Sequence, residues 1–256
     1  MVEGSVNNGA VNHDRQIVGV ASRTPGGDPG PPGLDPVPTP LRDPQPMLDR
    51  VIDEWGGHED LWLFGYGSLI WRPDFGFVER HPARVQGWHR ALKMWSRINR
   101  GTVENPGLVF GLLSGGSCRG MVFRVPAAEG LETLGRLWLR EMPTGVYDPR
   151  WLSCATPHST VRALAFTLSR RSPNFTGELS DDRYAHIFAH AVGRYGSSLD
   201  YAQQTLLELR RHKIHDAALA RLIKLAESRL SAPTDSPGPE TPVYPPGSEP
   251  VKESKE

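Results

Sequence analysis

The stretch that decides the fold is Leu61-Trp62-Leu63-Phe64-Gly65-Tyr66-Gly67-Ser68-Leu69, in which a short apolar run ends at two closely spaced glycines. An apolar run of this length bounded by glycine is typical of a buried strand. Because glycine tolerates positive φ, the glycine segment is predicted to form a turn whose N–H groups point outward and bind a carboxylate or phosphate. A plain structural turn explains the same pattern.

Two familiar catalytic loops do not match this segment. The nucleotide P-loop requires a lysine that is missing here, since Ser68 is followed by Leu69. The sequence around Ser68 also differs from the GxSxG elbow of a serine nucleophile. The segment is therefore a candidate binding loop and not a nucleotide or acyl-enzyme site.

Working outward from the loop, the chain alternates strand and helix patterns. Strands are predicted at 84–96, with a bulge at Gly87, at 107–113 and 118–125 as a hairpin around the turn 114–117, and at 151–154 and 161–168. Helices are predicted at 126–140, 181–195, 199–212 and 216–230. The third of these helices begins with the capping-box spacing of Ser197 and Asp200. This order indicates an α+β fold with an antiparallel sheet or a small barrel.

Composition divides the 256 residues into three parts. The 24 prolines and 27 glycines are concentrated near the two ends, so 1–47 and 231–256 are predicted to be disordered extensions of a folded domain at 48–230. Lys and Arg together number 29, as do Asp and Glu, so the net charge gives no general attraction for nucleic acid or an anionic membrane.

The cysteines and the N-terminus bear on the cellular compartment. Cys118 and Cys154 are the only cysteines, which favours free thiols in a reducing compartment over a disulfide framework or a zinc site. We see neither a signal peptide nor an apolar stretch near the roughly 18 residues of a membrane helix. A cytoplasmic protein with a small-molecule substrate is the expectation.

Glu141 is the candidate acid/base. It lies at the end of the predicted apolar helix, just before Pro143 and Gly145 interrupt it. The negative end of the helix dipole and the apolar neighbours are both expected to raise the pKa of this carboxyl. An ion pair with Arg140, or an exposed helix end, explains the position equally well. His186 and His190 share a helix face but lack a third ligand, so no metal site is predicted.

Taken together, these segments resemble the ChaC family of glutathione-specific γ-glutamylcyclotransferases. The similarity lies in an ordered series of short motifs across 61–226: Trp62-Leu63-Phe64-Gly65-Tyr66-Gly67-Ser68-Leu69-Ile70-Trp71, Asn99-Arg100-Gly101-Thr102, Pro106-Gly107-Leu108-Val109, Cys118-Arg119-Gly120, Leu139-Arg140-Glu141-Met142 and Asp200-Tyr201. Each motif is unspecific alone, whereas the ordered series is specific.

The resemblance implies a γ-glutamylcyclotransferase-like α+β fold, a small mixed or antiparallel β-barrel with flanking helices and a helical C-terminal part. It implies cleavage of glutathione to 5-oxoproline (pyroglutamate) and Cys-Gly, through attack of the substrate's α-amine on its γ-amide, with no metal and no organic cofactor. No protein partner is implied. Glu141 would be the general acid/base. The implied substrate-binding residues are Phe64, Gly65, Tyr66, Gly67, Ser68 and Leu69, with Tyr147 as a further candidate.

Other interpretations stay open. The chain departs from the family pattern at Asn99, where a histidine is common, and at Thr144-Gly145-Val146-Tyr147, where animal members tend to have two glycines before the tyrosine, so substrate preference is not fixed. A cyclotransferase acting on other γ-glutamyl amines or amino acids is one alternative. A non-catalytic module that binds γ-glutamyl compounds or anions is another, and a structural domain whose termini form an interaction platform is a third.

Overall fold

The computed structural model describes residues 42–231. The extensions predicted at the two ends therefore lie outside the described residues, except for 42–47 and Ser231. Helix α1 spans Gln45–Trp55 and was not predicted. It begins before residue 48, and the indole Nε1 of Trp138 donates to the Pro44 carbonyl at 2.9 Å, so the residues just before 48 pack on the domain.

The centre of the fold is a closed barrel of five strands in the order β1-β3-β2-β4-β5. The strands are β1 Leu61–Gly65, β2 Glu79–Ser96, β3 Gly107–Val125, β4 Asp148–Ala155 and β5 Thr160–Thr167. Neighbours are antiparallel except at the closure, where β1 runs parallel to β5 with Leu63 opposite Leu164. The predicted small mixed or antiparallel barrel is confirmed.

The hairpin predicted around 114–117 is wrong. Residues 107–113 and 118–125 belong to the single strand β3, which pairs with β2 from Glu79 opposite Arg124 to Ser96 opposite Gly107. The connection of this long hairpin is 97–106. Gly115 and Gly116 have φ of 99° and 70°, but they form a bulge opposite Gly87, whose φ is 78°. Positive φ at paired glycines serves a bulge as well as a turn, so the local pattern was ambiguous. The predicted irregularity at Gly87 is confirmed.

Four helices follow or interrupt the barrel strands: α2 Ala127–Glu141, α3 Asp181–His190, α4 Ser198–Arg211 and α5 Ala217–Leu230. Helix α3 is shorter than predicted, because the backbone leaves the helix at Ala191 and forms the small hairpin of β6 (Val192–Gly193) and β7 (Gly196–Ser197). The predicted capping box of α4 is present, with Ser197 and Asp200 each accepting a hydrogen bond from the other's backbone N–H.

The packing of α2 brings its C-terminal end to the barrel. Its buried residues are Gly130, Thr133, Leu134, Leu137 and Trp138. This spacing places one apolar stripe against the strands, as a half-buried helix requires. Glu141, one turn beyond the stripe, is thereby held at the barrel. Within residues 42–231, no helix combines the length and the apolar character needed to cross a bilayer.

Candidate active site

The glycine loop leaves the end of β1 and enters a short 3-10 helix, Ser68–Ile70. The prediction of positive φ at its glycines is wrong, since Gly67 has φ −133° and Gly65 belongs to the strand. Space is the reason for glycine here. A Cβ on Gly67 would lie 3.0 Å from the Tyr201 hydroxyl oxygen and 3.6 Å from Phe110, and one on Gly65 would lie 3.1 Å from the Leu69 Cβ. The loop backbone therefore lies so close to helix α4 and strand β3 that a larger residue would displace its neighbours.

A small pocket that opens to solvent lies against this loop. Its lining residues come from the loop, the barrel, the end of α2 and helix α4: Tyr66, Gly67, Ser68, Leu69, Phe110, Glu141, Tyr147, Phe166 and Tyr201. Five of the nine are aromatic and only one, Glu141, carries a charge. The N–H groups of Ser68 and Leu69 have no acceptor within the 3-10 helix, because its first internal bond runs from the Ile70 N–H to the Gly67 carbonyl at 3.0 Å.

Three buried tyrosines converge on the pocket from separate elements. The Tyr66 hydroxyl donates to the Phe166 carbonyl at 2.7 Å, and the Tyr147 hydroxyl donates to the Phe110 carbonyl at 3.4 Å. The Tyr201 hydroxyl oxygen accepts from the Phe110 N–H at 3.4 Å. Burial raises the pKa of Tyr201 to about 12 and raises the pKa of Tyr66 and Tyr147 well above the usual range. All three therefore stay protonated near neutral pH and act as neutral hydrogen-bonding groups.

Glu141 is the acidic group of the pocket. Its side chain is 17% exposed, and its Oε1 lies 3.0 Å from the Nε of Arg140. Burial raises the pKa of the Glu141 carboxyl, and the charge of Arg140 acts in the opposite direction. The predicted rise in pKa is confirmed, and the ion pair with Arg140 coexists with it. A carboxyl of this kind is suited to accepting a proton from an amine and returning it.

The structure brings most of the predicted site residues together. Tyr66, Gly67, Ser68, Leu69 and Tyr147 line the same pocket as Glu141. Phe64 and Gly65 lie outside the lining. Phe64 is 1% exposed and packs in the barrel, where a Cβ on Gly120 would lie 2.9 Å from its ring. Their contribution to the site is to place the loop.

Sequence reasoning did not assign three of the lining residues. Tyr201 was part of the family resemblance but had no role, and Phe110 and Phe166 are ordinary apolar positions of strands β3 and β5. No local pattern marks them, because each reaches the pocket only through the closure of the barrel and the packing of α4. The ring of Tyr201 lies 5.3 Å from that of Phe110.

The other candidate groups lie elsewhere. His186 and His190 stack on each other at 4.4 Å on α3, outside the pocket lining. Cys118 and Cys154 are buried free thiols. Across residues 42–231, no group of three or more His, Cys, Asp or Glu side chains is arranged to hold a metal ion.

Comparison with known proteins identifies related sequences. The family model for ChaC-like protein matches residues 61–229. The glutathione-specific γ-glutamylcyclotransferase of Escherichia coli is 34% identical over 172 residues, which cover 67% of this chain and 74% of that protein. The enzyme of the same name from Schizosaccharomyces pombe is 39% identical over 171 residues, 55% of this chain and 78% of its own. γ-Glutamylcyclotransferase 2-3 of Arabidopsis thaliana is 35% identical over 66% of this chain and 92% of its own.

Comparison with solved structures identifies the fold. The crystal structure of a glutathione-specific γ-glutamyl cyclotransferase from yeast superimposes with a TM-score of 0.61. The match covers 67% of this chain and 97% of the yeast chain at 20% identity. At that identity the likeness concerns the fold alone. The α+β barrel with flanking helices is therefore a γ-glutamylcyclotransferase-like fold.

Proposed function

The chain belongs to the ChaC-like protein family, and from that premise we propose that it is a γ-glutamylcyclotransferase that cleaves glutathione to 5-oxoproline and Cys-Gly. The observation that supports this most directly is the position of Glu141 in the pocket. A single, largely buried carboxyl with a raised pKa faces the glycine loop in a pocket lined mainly by aromatic rings. This arrangement suits a small substrate that carries an amine and a carboxylate.

The reaction needs no protein nucleophile. The α-amine nitrogen of the γ-glutamyl group attacks its own γ-carbonyl carbon, forming the lactam C–N bond while the bond to the cysteinyl nitrogen breaks. Two protons move in total from the attacking to the leaving nitrogen, and no water is consumed. Because nucleophile and electrophile belong to one molecule, the pocket mainly has to hold the ring-forming conformer. Well-oriented intramolecular reactions reach effective molarities of about 10⁵–10⁸ M.

Glu141 would manage the protons. The α-ammonium has a reference pKa of about 7.7–8.0 and an ordinary glutamate one of about 4.3, a gap of about 3.5 units. Burial of Glu141 narrows this gap, which makes the carboxylate a better base. Having taken a proton from the ammonium, the carboxyl can deliver it to the departing cysteinyl nitrogen. Proton transfer of this kind contributes about 10²–10⁴ in rate.

The remaining lining groups would hold the substrate. We assign the N–H groups at Ser68 and Leu69 to the substrate α-carboxylate or to the oxyanion that develops on the γ-carbonyl. The rings of Tyr66, Tyr147 and Tyr201 surround the space next to Glu141, where an ammonium group gains from aromatic faces as well as from the carboxylate. We place the reaction in the cytoplasm, a compartment compatible with the free thiols Cys118 and Cys154.

A direct assay tests the proposal. Purified full-length protein is incubated with reduced glutathione, without added metal or cofactor, and 5-oxoproline and Cys-Gly are quantified by mass spectrometry. Equal appearance of the two products is the expected result. If glutathione stays intact while a panel of γ-glutamyl amino acids and amines releases 5-oxoproline, the protein is a cyclotransferase for those substrates. No product from any of them would refute the cyclotransferase assignment.

A further inference from the structure

The guanidinium of Arg140 connects two carboxylates. Its Nε lies 3.0 Å from Oε1 of Glu141, and its Nη1 lies 2.7 Å from Oδ2 of Asp74. Its Nη2 donates to the Ser68 hydroxyl at 3.0 Å, and its Nη1 also donates to the Arg72 carbonyl at 2.5 Å. Arg140 therefore links the acidic group of the pocket, the glycine loop and the segment after that loop.

Asp74 is held in an uncommon conformation to make this contact. Its φ is 56°, and among residues 42–231 only Asp74 and Lys213 have positive φ without being glycine. The Asp74 carboxylate also accepts from the Nε of Arg72 at 3.1 and 3.4 Å. Asp74 is 45% exposed and lies outside the pocket lining. Left-handed backbone at an aspartate is tolerated when its carboxylate is well bonded.

We propose that Asp74 is a positioning residue that shares the Arg140 guanidinium with Glu141 and so keeps Glu141 basic enough for the proton transfer. This inference rests on the proposed function. An arginine bound only to Glu141 would form a full ion pair and make that carboxylate a weak base. With Asp74 bound to the same guanidinium, part of the effect of the Arg140 charge on Glu141 is offset.

Two charged groups, Arg140 and Asp74, act on the pKa of the Glu141 carboxyl. Arg140 lies on the same helix as Glu141, and Asp74 lies in the segment after the 3-10 helix; the charges of both act on the Glu141 carboxyl. Tyr66, Tyr147 and Tyr201 face it from β1's end, the loop after α2 and helix α4. The tyrosines are uncharged near neutral pH, because burial raises the pKa of each. Burial raises the pKa of Glu141, Arg140 lowers it, and Asp74 raises it again.

Asp74→Asn is the appropriate change. Asparagine has the same shape, tolerates positive φ and occupies an exposed position, so the fold should persist. Removing the negative charge lowers the pKa of Glu141, both by losing a like charge and by freeing Arg140 to pair with it. We expect the acid limb of the kcat/KM profile to move to lower pH by about 0.5–1 unit, with a lower plateau because the base is weaker. Ionisations of glutathione are common to both enzymes and cancel in the comparison.

Asp182→Asn is the matched control. Asp182 also pairs with an arginine, Arg229, at 2.7 Å, but it is 79% exposed and neither residue lines the pocket. This variant should keep the wild-type profile. A general effect of removing an exposed aspartate would shift the acid limb of the kcat/KM profile equally in both variants. The proposal requires this shift in Asp74→Asn alone.

A spectroscopic titration makes the test independent of turnover. The ¹³C carboxyl resonance of Glu141 is identified by its absence in Glu141→Gln and followed against pH in wild type and Asp74→Asn. A titration midpoint that falls in Asp74→Asn, with the same shift in the rate profile, supports the proposal. An unmoved midpoint, or a uniform loss of activity without a shift of the acid limb, overturns it. Failure of the proposed function is distinct, since wild type would then release no product while the titration still reports the coupling.

Discussion

Replacing Glu141 with glutamine tests the central assignment with the smallest structural change. The Glu141→Gln substitution keeps the shape of the side chain and an oxygen that accepts from Arg140, whose Nε lies 3.0 Å from Oε1 in the wild type. The amide cannot take up a proton from the substrate ammonium. Because the pocket lining is otherwise unchanged, substrate binding should be retained while proton transfer is lost.

The expected loss in kcat is about 10²–10⁴, which corresponds to about 3–5 kcal/mol of transition-state stabilisation. KM should rise only modestly, because the carboxylate that attracts the substrate ammonium is lost while the aromatic residues around it remain. The assay is the steady-state release of 5-oxoproline from glutathione, measured by mass spectrometry across a range of pH. Residual turnover is expected, because the pocket would still favour the cyclising conformer.

The same variant should also change how stability depends on pH. Burial raises the pKa of Glu141 in the folded state above its unfolded value of about 4.3, so the folded state binds this proton more tightly. The contribution of Glu141 to wild-type stability therefore falls as pH rises from the unfolded pKa through the folded one, and stays lower above it. The Glu141→Gln variant has no carboxyl at this position, so its free energy of unfolding lacks this decrease with pH. The free energy of unfolding of Glu141→Gln, relative to wild type, should rise across that window by about 1.4 kcal/mol per unit of pKa difference.

Urea unfolding at several pH values measures this second effect, and a thermal melt confirms that the variant is folded. Turnover within about threefold of wild type, in a folded variant, would refute the role of Glu141 as acid/base. A relative stability that does not change with pH would refute the argument that burial holds its pKa high.

Two further changes test the geometry of the pocket and the extent of the domain. Gly67→Ala would place a Cβ 3.0 Å from the Tyr201 hydroxyl oxygen, so kcat/KM should fall by about tenfold or more. Gly135→Ala, in helix α2 with nothing within 4 Å of the new Cβ, is its control and should retain activity while gaining about 1 kcal/mol of stability. A chain starting at residue 48 would lose the bonds from Arg42 to the Gly145 and Tyr147 carbonyls and from Trp138 to Pro44, lowering the free energy of unfolding by about 2 kcal/mol in urea titrations. A chain starting at residue 41 keeps these bonds and is the matched control, and equal stability of the two truncated chains would contradict this reasoning.

Local patterns were sufficient for much of the fold. The apolar run before Gly65, the proline that precedes α2 and the capping box of α4 each act within a few residues of the chain, so the sequence predicts them directly. The position of Glu141 at the end of α2 was likewise predictable from the local sequence. Its raised pKa followed from apolar neighbours, and the buried helix end confirms the direction.

Features that depend on one segment meeting another could not be predicted in this way. The glycines at 115 and 116 suited a turn as well as a bulge, and only pairing with β2 along the whole of β3 selects the bulge. Gly67 is required by its distance from Tyr201 on α4 and not by its own φ. The Arg140 guanidinium links Asp74 to Glu141 across the contact between α2 and the loop.

Short-range spacing in the amino-acid sequence was therefore enough to establish the order of most elements, the candidate acid/base and the family resemblance. Tertiary packing established which side chains share the pocket, how little space its glycines have, and which charges act on Glu141. Burial and approach distances are properties of packed surfaces, and residues distant in the sequence acquire them only when the barrel closes and α2 and α4 pack against it.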